Sequence, residues 1–254
     1  MKIALVQYNP IWEDKEANKE KLNLLLETIK KDKVNLLIFP EMTLTGFTMK
    51  SDQFAEEVDD ESFIFFKRAA KKYSAHILAG IIEREGNRIY NSLIHLDKTG
   101  SLHKTYRKIH PFTSSGEDLN YSKGSQIVIT DIDGWKTGLT ICYDLRFPEL
   151  FRLYAKERVH LIVNSANWPL ARIEHWKTLL KARAIENQCY AAGVNRVGND
   201  PKSSYPGFSS VYGPMGEEIL VLTGEEKVGV AEIQIEKVNE VRSKLPFLDD
   251  ITMI

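Results

Sequence analysis

Three residues able to do chemistry stand just past segments that read as buried strands. Glu41 follows LLIFP, Lys108 follows HKTYR and Cys142 follows TGLTI. A thiol with its ordinary pKa near 8.5 acts at neutral pH only with a base or a cation beside it. A glutamate can take its proton, and a lysine can stabilise both the thiolate and the negative oxygen of a tetrahedral intermediate. The trio therefore suffices for acyl transfer without histidine. Six histidines are present, at 76, 95, 103, 110, 160 and 175, and nothing in their spacing marks one as a base. Taken singly, the glutamate reads as a turn cap, the lysine as a surface charge and the cysteine as a small core residue. Their common place at strand ends favours chemistry, because rigid elements aim side chains where loops alone do not.

The stretch ICYDLRFPE adds an arginine, Arg146, four residues beyond the thiol and just before a helix opened by Pro148. A guanidinium there can grip a carboxylate through two parallel hydrogen bonds, or it can pair with Asp144 or Glu149 and brace the loop. Asp144 reads as a loop-holding carboxylate. The second cysteine, Cys189, opens the apolar CYAAGVN run and reads as a buried, inert thiol.

The elements that must position these groups follow from hydrophobic periodicity. Strands are predicted over Lys2 to Tyr8, Val34 to Phe39, His76 to Ile82, Ile89 to Leu96 and Leu102 to Tyr106. In the second half they run over Ile127 to Ile132, Trp135 to Ile141, Leu161 to Asn164, Cys189 to Val197, Ser209 to Tyr212, Ile219 to Leu222 and Val228 to Ile235. Asp133-Gly134 is a hairpin signal. Helical spacing appears at Leu22, Leu25, Leu26 and Ile29, at Phe63, Phe66 and Tyr73, from Pro148 to Glu157, and at Trp176, Leu179, Leu180 and Ile185. Strand hairpins interleaved with helices predict an α+β fold of two facing sheets with helices outside, in one domain over residues 1–254.

Composition narrows the partners. The chain has 254 residues, 43% hydrophobic and 27% charged, enough for a substantial core. Its 34 basic and 35 acidic residues leave a net charge of −1, so no bulk field recruits nucleic acid or an anionic membrane. No stretch approaches the roughly 20 apolar residues of a membrane span. The opening MKIALVQYNP has one lysine and a short apolar run ended by Gln7, unlike a secretory signal. Two cysteines without a C-x-x-C fit neither a disulfide framework nor a zinc site, and a free thiol suits a reducing cytoplasm.

FPEMTLTGF, YRKIHPF and ICYDLRFPE, in that order, resemble the three signature blocks of the nitrilase superfamily, the carbon–nitrogen hydrolases. The resemblance continues through NSANWP (164–169), HWKTLLKARAIENQCY (175–190), NRVG (195–198) and SSVYGPMGE, and so covers nearly the whole chain. It implies a four-layer αββα sandwich that pairs into homodimers. By the same resemblance Cys142 is the nucleophile, Glu41 the general base and Lys108 the cation facing the oxyanion, with the Tyr143 backbone N–H as a second oxyanion donor. Glu117, with Asp118 as the alternative, matches the family's second glutamate. Phe47, Phe112 and Trp168 stand next to these blocks as apolar walls.

The C-Y-D-x-R-F form of the cysteine block resembles the ω-amidase branch, which implies hydrolysis of 2-oxoglutaramate or 2-oxosuccinamate to a 2-oxo dicarboxylate and ammonia through a thioester. No metal or cofactor is implied. Deaminated glutathione, N-carbamoyl amides and nitriles are the alternative substrates. A catalytically silent binding subunit is the alternative class, against which the retention of Glu41, Lys108 and Cys142 speaks.

Overall fold

The chain is described from a computed structural model covering residues 1–29 and 32–253. Its first half runs β1 (Lys2–Gln7), α1 (Lys15–Glu27), β2 (Leu36–Ile38), α2 (Ser51–Phe54), α3 (Glu61–Tyr73), β3 (His76–Glu85), β4 (Arg88–Leu96) and β5 (Leu102–Arg107). The short α4 (Glu117–Asn120) leads to β6 (Ile129–Ile132), β7 (Trp135–Ile141), α5 (Pro148–Lys156), β8 (Leu161–Ala166), α6 (Ile173–Asn187) and β9 (Tyr190–Asn195). A hairpin of β10 (Val197–Asn199) and β11 (Ser204–Pro206), then β12 (Ser210–Tyr212), β13 (Glu218–Val221), β14 (Lys227–Glu232) and α7 (Ile235–Lys244), complete it.

Two six-stranded mixed sheets result, ordered β14-β1-β2-β3-β4-β5 and β13-β12-β9-β8-β7-β6. Within them β1, β2 and β3 are mutually parallel, as are β7, β8 and β9. Strands buried on both faces need continuous apolar runs, and Leu36–Ile38 and Leu161–Val163 supply them. Between the sheets, Leu5, Ile38 and Leu78 pack with Leu139, Val163 and Val194. Leu22, Leu26, Phe63 and Phe66 of α1 and α3 cover the outer face of the first sheet. Phe151, Tyr154, Trp176 and Leu180 of α5 and α6 cover that of the second. This is the four-layer αββα arrangement.

Local chemistry fixes the joints. Asp14 caps α1 by accepting from the Ala17 N–H at 3.0 Å. Asp133 and Gly134, with φ of 51° and 84°, make the predicted two-residue hairpin turn. Two expected strands are corrected. The run Val228 to Ile235 stops at Glu232, and α7 begins at Ile235; that helix buries only Val238 and Val241, too few apolar positions to mark it. The run Cys189 to Val197 breaks at Arg196, after which β10 leaves the sheet to pair with β11 alone.

At one end of the sandwich a histidine pair bridges the sheets. His76 and His95 share a hydrogen bond of 2.9 Å; His76 reaches Asp133 at 3.3 Å, and His95 reaches the Thr130 hydroxyl at 2.6 Å. Burial pulls His95 from its ordinary 6.5 down to about 3, with the charges of His76 and His103 adding to it and Asp97 opposing. Burial also lowers His76, with Lys98 adding to it and Asp133 and Asp97 opposing. Both rings are thus neutral in the fold, while the unfolded chain takes up protons near 6.5. Stability is therefore full above that pH and declines as pH falls towards about 3. Each such proton steepens the decline by up to about 1.4 kcal/mol per pH unit. Urea denaturation at pH 7 and pH 5 should give a smaller difference for His95→Gln than for the unsubstituted protein.

Candidate active site

Strand direction places the groups. β2 and β5 run the same way in the first sheet, so Glu41 and Lys108, each just past a strand, emerge at one end of it. In the second sheet Ile141 of β7 lies opposite Ser165 of β8, which sets Cys142 and Asn167 side by side beyond the strands. The Asn167 N–H donates to Glu41 Oε2 at 3.0 Å, so the two strand ends meet across the seam between the sheets.

The centre is a buried network. Lys108 Nζ donates to Glu41 Oε1 at 2.8 Å and to Glu117 Oε2 at 2.8 Å. The amide nitrogen of Asn91 donates to Oε1 of both carboxylates at 2.7 Å each. The Phe112 N–H donates to Glu117 Oε2 at 2.6 Å. Glu117 is buried and Asp118 is exposed, so Glu117 is the carboxylate that faces Lys108. Burial pulls the Lys108 ammonium down, but Glu117, Glu41 and Cys142 outweigh it and hold its pKa raised. Lys108 is thus a cation at any working pH. Burial pushes Glu117 up, Lys108 opposes, and the charge of Glu41 adds to the rise.

Cys142 sits at the first position of a 3-10 turn, Cys142–Arg146, with φ at 44°, a strained value for a residue with a side chain. Asp144 pins that turn: it accepts from the Ile141 N–H at 2.9 Å, the Tyr106 hydroxyl at 2.7 Å and the His110 ring at 2.8 Å. Asp144 therefore holds the loop, as expected from the sequence. Burial raises the Cys142 pKa well above that of a free thiol, the Glu41 charge adds to this and Lys108 opposes it. At rest the sulfur carries its proton, and Sγ lies 3.9 Å from the Asn167 carbonyl, to which the S–H donates. Glu41 Oε2 and the thiol thus engage the same residue.

Cys142, Glu41 and Lys108 open onto a cavity of about 370 Å³. Phe47, Phe112, Tyr143, Arg146 and Trp168 line it as well, whereas Glu117 lies behind Lys108. Arg146 pairs with neither Asp144 nor Glu149; its guanidinium lies 4.7 Å from the Trp168 ring centre and 3.2 Å from His175 Nδ1. Among the described residues no histidine lines the cavity, and no group of three or more His, Cys, Asp or Glu side chains is placed to hold a metal. Cys189 is fully buried, with its pKa pushed up to about 12 by that burial.

Sequence reasoning passed over Asn91, Asn167 and Gly80. The two amides carry no charge and sit in YNS and NSANWP, where nothing separates them from strand and loop polar residues. Gly80 lies inside β3, where a Cβ would come within 2.5 Å of the Met42 nitrogen and 2.7 Å of the Glu41 Cα. An isolated strand glycine signals close backbone approach, and here the approaching backbone carries Glu41.

Residues 2–243 match the carbon–nitrogen hydrolase family, and the chain belongs to it. The chain is similar to the 2-oxoglutaramate amidase of Bacillus subtilis, at 36% identity over 98% of this chain and 96% of the relative. It is also similar to the omega-amidase YafV of Escherichia coli K12, at 34% identity over 98% and 96%. A crystal structure of a CN-hydrolase superfamily protein from Xanthomonas campestris, with an arsenic adduct in its active site, superposes with a TM-score of 0.93. It is 31% identical, over 100% of this chain and 98% of that one. Nit3 of Saccharomyces cerevisiae, from branch 10 of the nitrilase superfamily, superposes at 0.88 with 26% identity, over 97% and 94%.

Proposed function

We propose that this chain is a cysteine-dependent amidase that removes ammonia from short monoamides bearing a distal carboxylate, 2-oxoglutaramate and 2-oxosuccinamate foremost. The observation that carries this reading is a thiol beside a buried Glu–Lys–Glu network, facing a cavity whose wall holds a guanidinium that, among the described residues, has no carboxylate partner. Similarity to a 2-oxoglutaramate amidase and an omega-amidase supports it.

In this reading the amide carbonyl sits between Cys142 and Lys108. Lys108 donates to Glu41 Oε1 at 2.8 Å and to both oxygens of Glu117 at 3.0 and 2.8 Å; one N–H shared between the two Glu117 oxygens leaves one for the developing oxyanion. The Tyr143 N–H, in the first turn of its short helix, is a second donor because such groups lack an intrahelical acceptor. Glu41 Oε1 accepts from Lys108 and Asn91 at 2.8 and 2.7 Å, whereas Oε2 has one such donor, the Asn167 N–H at 3.0 Å, and a long 3.4 Å contact, so in this reading Oε2 takes the thiol proton as sulfur attacks carbon. The proton passes to the departing nitrogen, ammonia leaves and a thioester remains. Water then attacks, Glu41 takes its proton, the C–S bond breaks and the proton returns to sulfur. Glu117 holds Lys108 in place throughout.

Nucleophile, base and oxyanion donors all come from side chains and backbone, so the reaction as written uses no metal or organic cofactor. We place the enzyme in the cytoplasm, as a homodimer of one-domain subunits acting on small molecules, without nucleic-acid or membrane partners.

The test is ammonia release from 2-oxoglutaramate, 2-oxosuccinamate, deaminated glutathione and neutral short amides. Arg146→Ala should lower kcat/KM on 2-oxoglutaramate by about 100-fold, the scale of a lost charge-assisted bidentate contact. An unchanged value would remove Arg146 from carboxylate recognition. Gly80→Ala must displace the Glu41 backbone, and a shift near 1 Å in a reacting group costs about 100-fold in rate. Its kcat should fall by that order while KM changes little.

A further inference from the structure

A second arginine shares the cavity. Arg172, just before α6, lines the same wall as Arg146, with its guanidinium 5.4 Å from the Phe112 ring centre. Among the described residues neither guanidinium is paired with a carboxylate. The acidic groups of the cavity rim are engaged elsewhere: Glu13 pairs with Lys50 at 2.5 Å, and Asp200 accepts from the Lys202 and Ser203 N–H groups at 2.7 Å each. Burial and the charge of Arg172 together lower the Arg146 pKa. Two like charges held on one wall repel each other, and an anion between them relieves both. Each also lies over an aromatic ring, a cation–π contact that holds the charge in place while leaving N–H groups for a ligand.

We propose that Arg172 is a specificity-determining residue: with Arg146 it forms a two-guanidinium cradle for the far end of the substrate, selecting monoamides that carry a carboxylate and no ammonium group. This rests on the functional reading above and narrows its substrate class. A 2-oxo acid or an unsubstituted dicarboxylate presents only negative or neutral groups to the cradle. A 2-amino acid amide such as glutamine presents its ammonium beside the same carboxylate, within reach of both guanidiniums. Juxtaposed like charge is a means of rejecting wrong ligands.

Glutaramate, glutamine and butyramide separate the contributions, because they share the reacting amide and the three-carbon chain beyond it. Glutaramate has the carboxylate, glutamine adds the ammonium and butyramide has neither. The unsubstituted enzyme is expected to favour glutaramate over glutamine by about 100-fold or more in kcat/KM. Arg172→Gln should lower the glutaramate-to-butyramide ratio by about 10-fold or more, chiefly through KM, and narrow the glutaramate-to-glutamine ratio. Arg172→Lys, which keeps the charge and loses the fork, should retain the rejection of glutamine. Equal changes on all three substrates, or none, in Arg172→Gln would overturn the cradle while leaving the amidase reading intact. No ammonia from any of the three, or an Arg146→Ala variant that keeps the full preference for glutaramate, would overturn both.

Discussion

Cys142→Ala is expected to abolish ammonia release, by about 10⁴-fold or more, while leaving the fold unchanged. Removing the nucleophile of a covalent mechanism removes the route itself, and what remains is slow attack by water in a site shaped for a sulfur. The loss of one sulfur beside a cavity leaves little unfilled volume, and alanine at φ of 44° carries no more backbone strain than cysteine. The thermal midpoint should therefore stay within a few degrees. Iodoacetamide supplies the complementary measurement. Cys189 is sealed in the core, so the native chain should gain one carbamidomethyl group, located on Cys142 by mass spectrometry. The raised pKa of Cys142 adds a further expectation. In the proposed mechanism Glu41 removes the proton as sulfur attacks, so Glu41→Gln should slow both labelling and hydrolysis at pH 7. Full hydrolysis by Cys142→Ala would end the thioester mechanism.

Lys108→Met is the second large effect, and it acts on rate and stability together. Loss of one oxyanion donor costs about 10²–10³ in kcat. The change also strips from two buried carboxylates the ammonium they share, and a broken buried pair costs about 3–5 kcal/mol. The pH dependence separates the two effects. Burial already raises Glu117 and Lys108 opposes it, so without the cation Glu117 is pushed further above its unfolded value and favours the fold when protonated. Its penalty grows as pH rises through the unfolded carboxylate range near 4.3. Denaturation midpoints should show the variant closer to the unsubstituted protein at pH 5 than at pH 7.5, with the rate defect present at both. A variant as stable as the parent at pH 7.5 would mean that the two carboxylates do not depend on Lys108.

The sequence made legible what is marked by contrast. Glu41 and Cys142 stood out because a charge or a thiol ends an apolar run, and such runs also marked most strands and the αββα layering; Lys108, after the polar strand HKTYR, stood out through its block YRKIHPF. Asp144 was legible as a brace from its place beside Cys142. Asn91 and Asn167 were not, because a neutral amide shows its role only when both of its neighbours in space are known. Gly80 was invisible for a related reason: its constraint comes from the Pro40–Met42 backbone, which a linear reading keeps far away. Arg172 is separated from Arg146 by α5, β8 and the loops that flank them, so only the fold shows that they share a wall. The β10–β11 hairpin and α7 escaped because each buries too few apolar positions to impose a period.

The two sheets are fastened across their seam at opposite ends, by Asn167 on Glu41 at one and by His76 and His95 at the other. The sulfur belongs to one slab and the carboxylate proposed to serve it to the other, so on that proposal hydrolytic competence doubles as a gauge of their alignment. Warming or mild acid that lets the slabs slide by a fraction of an ångström would silence turnover while every helix and strand persisted. Activity in such a molecule is a more sensitive thermometer of its interior than ellipticity.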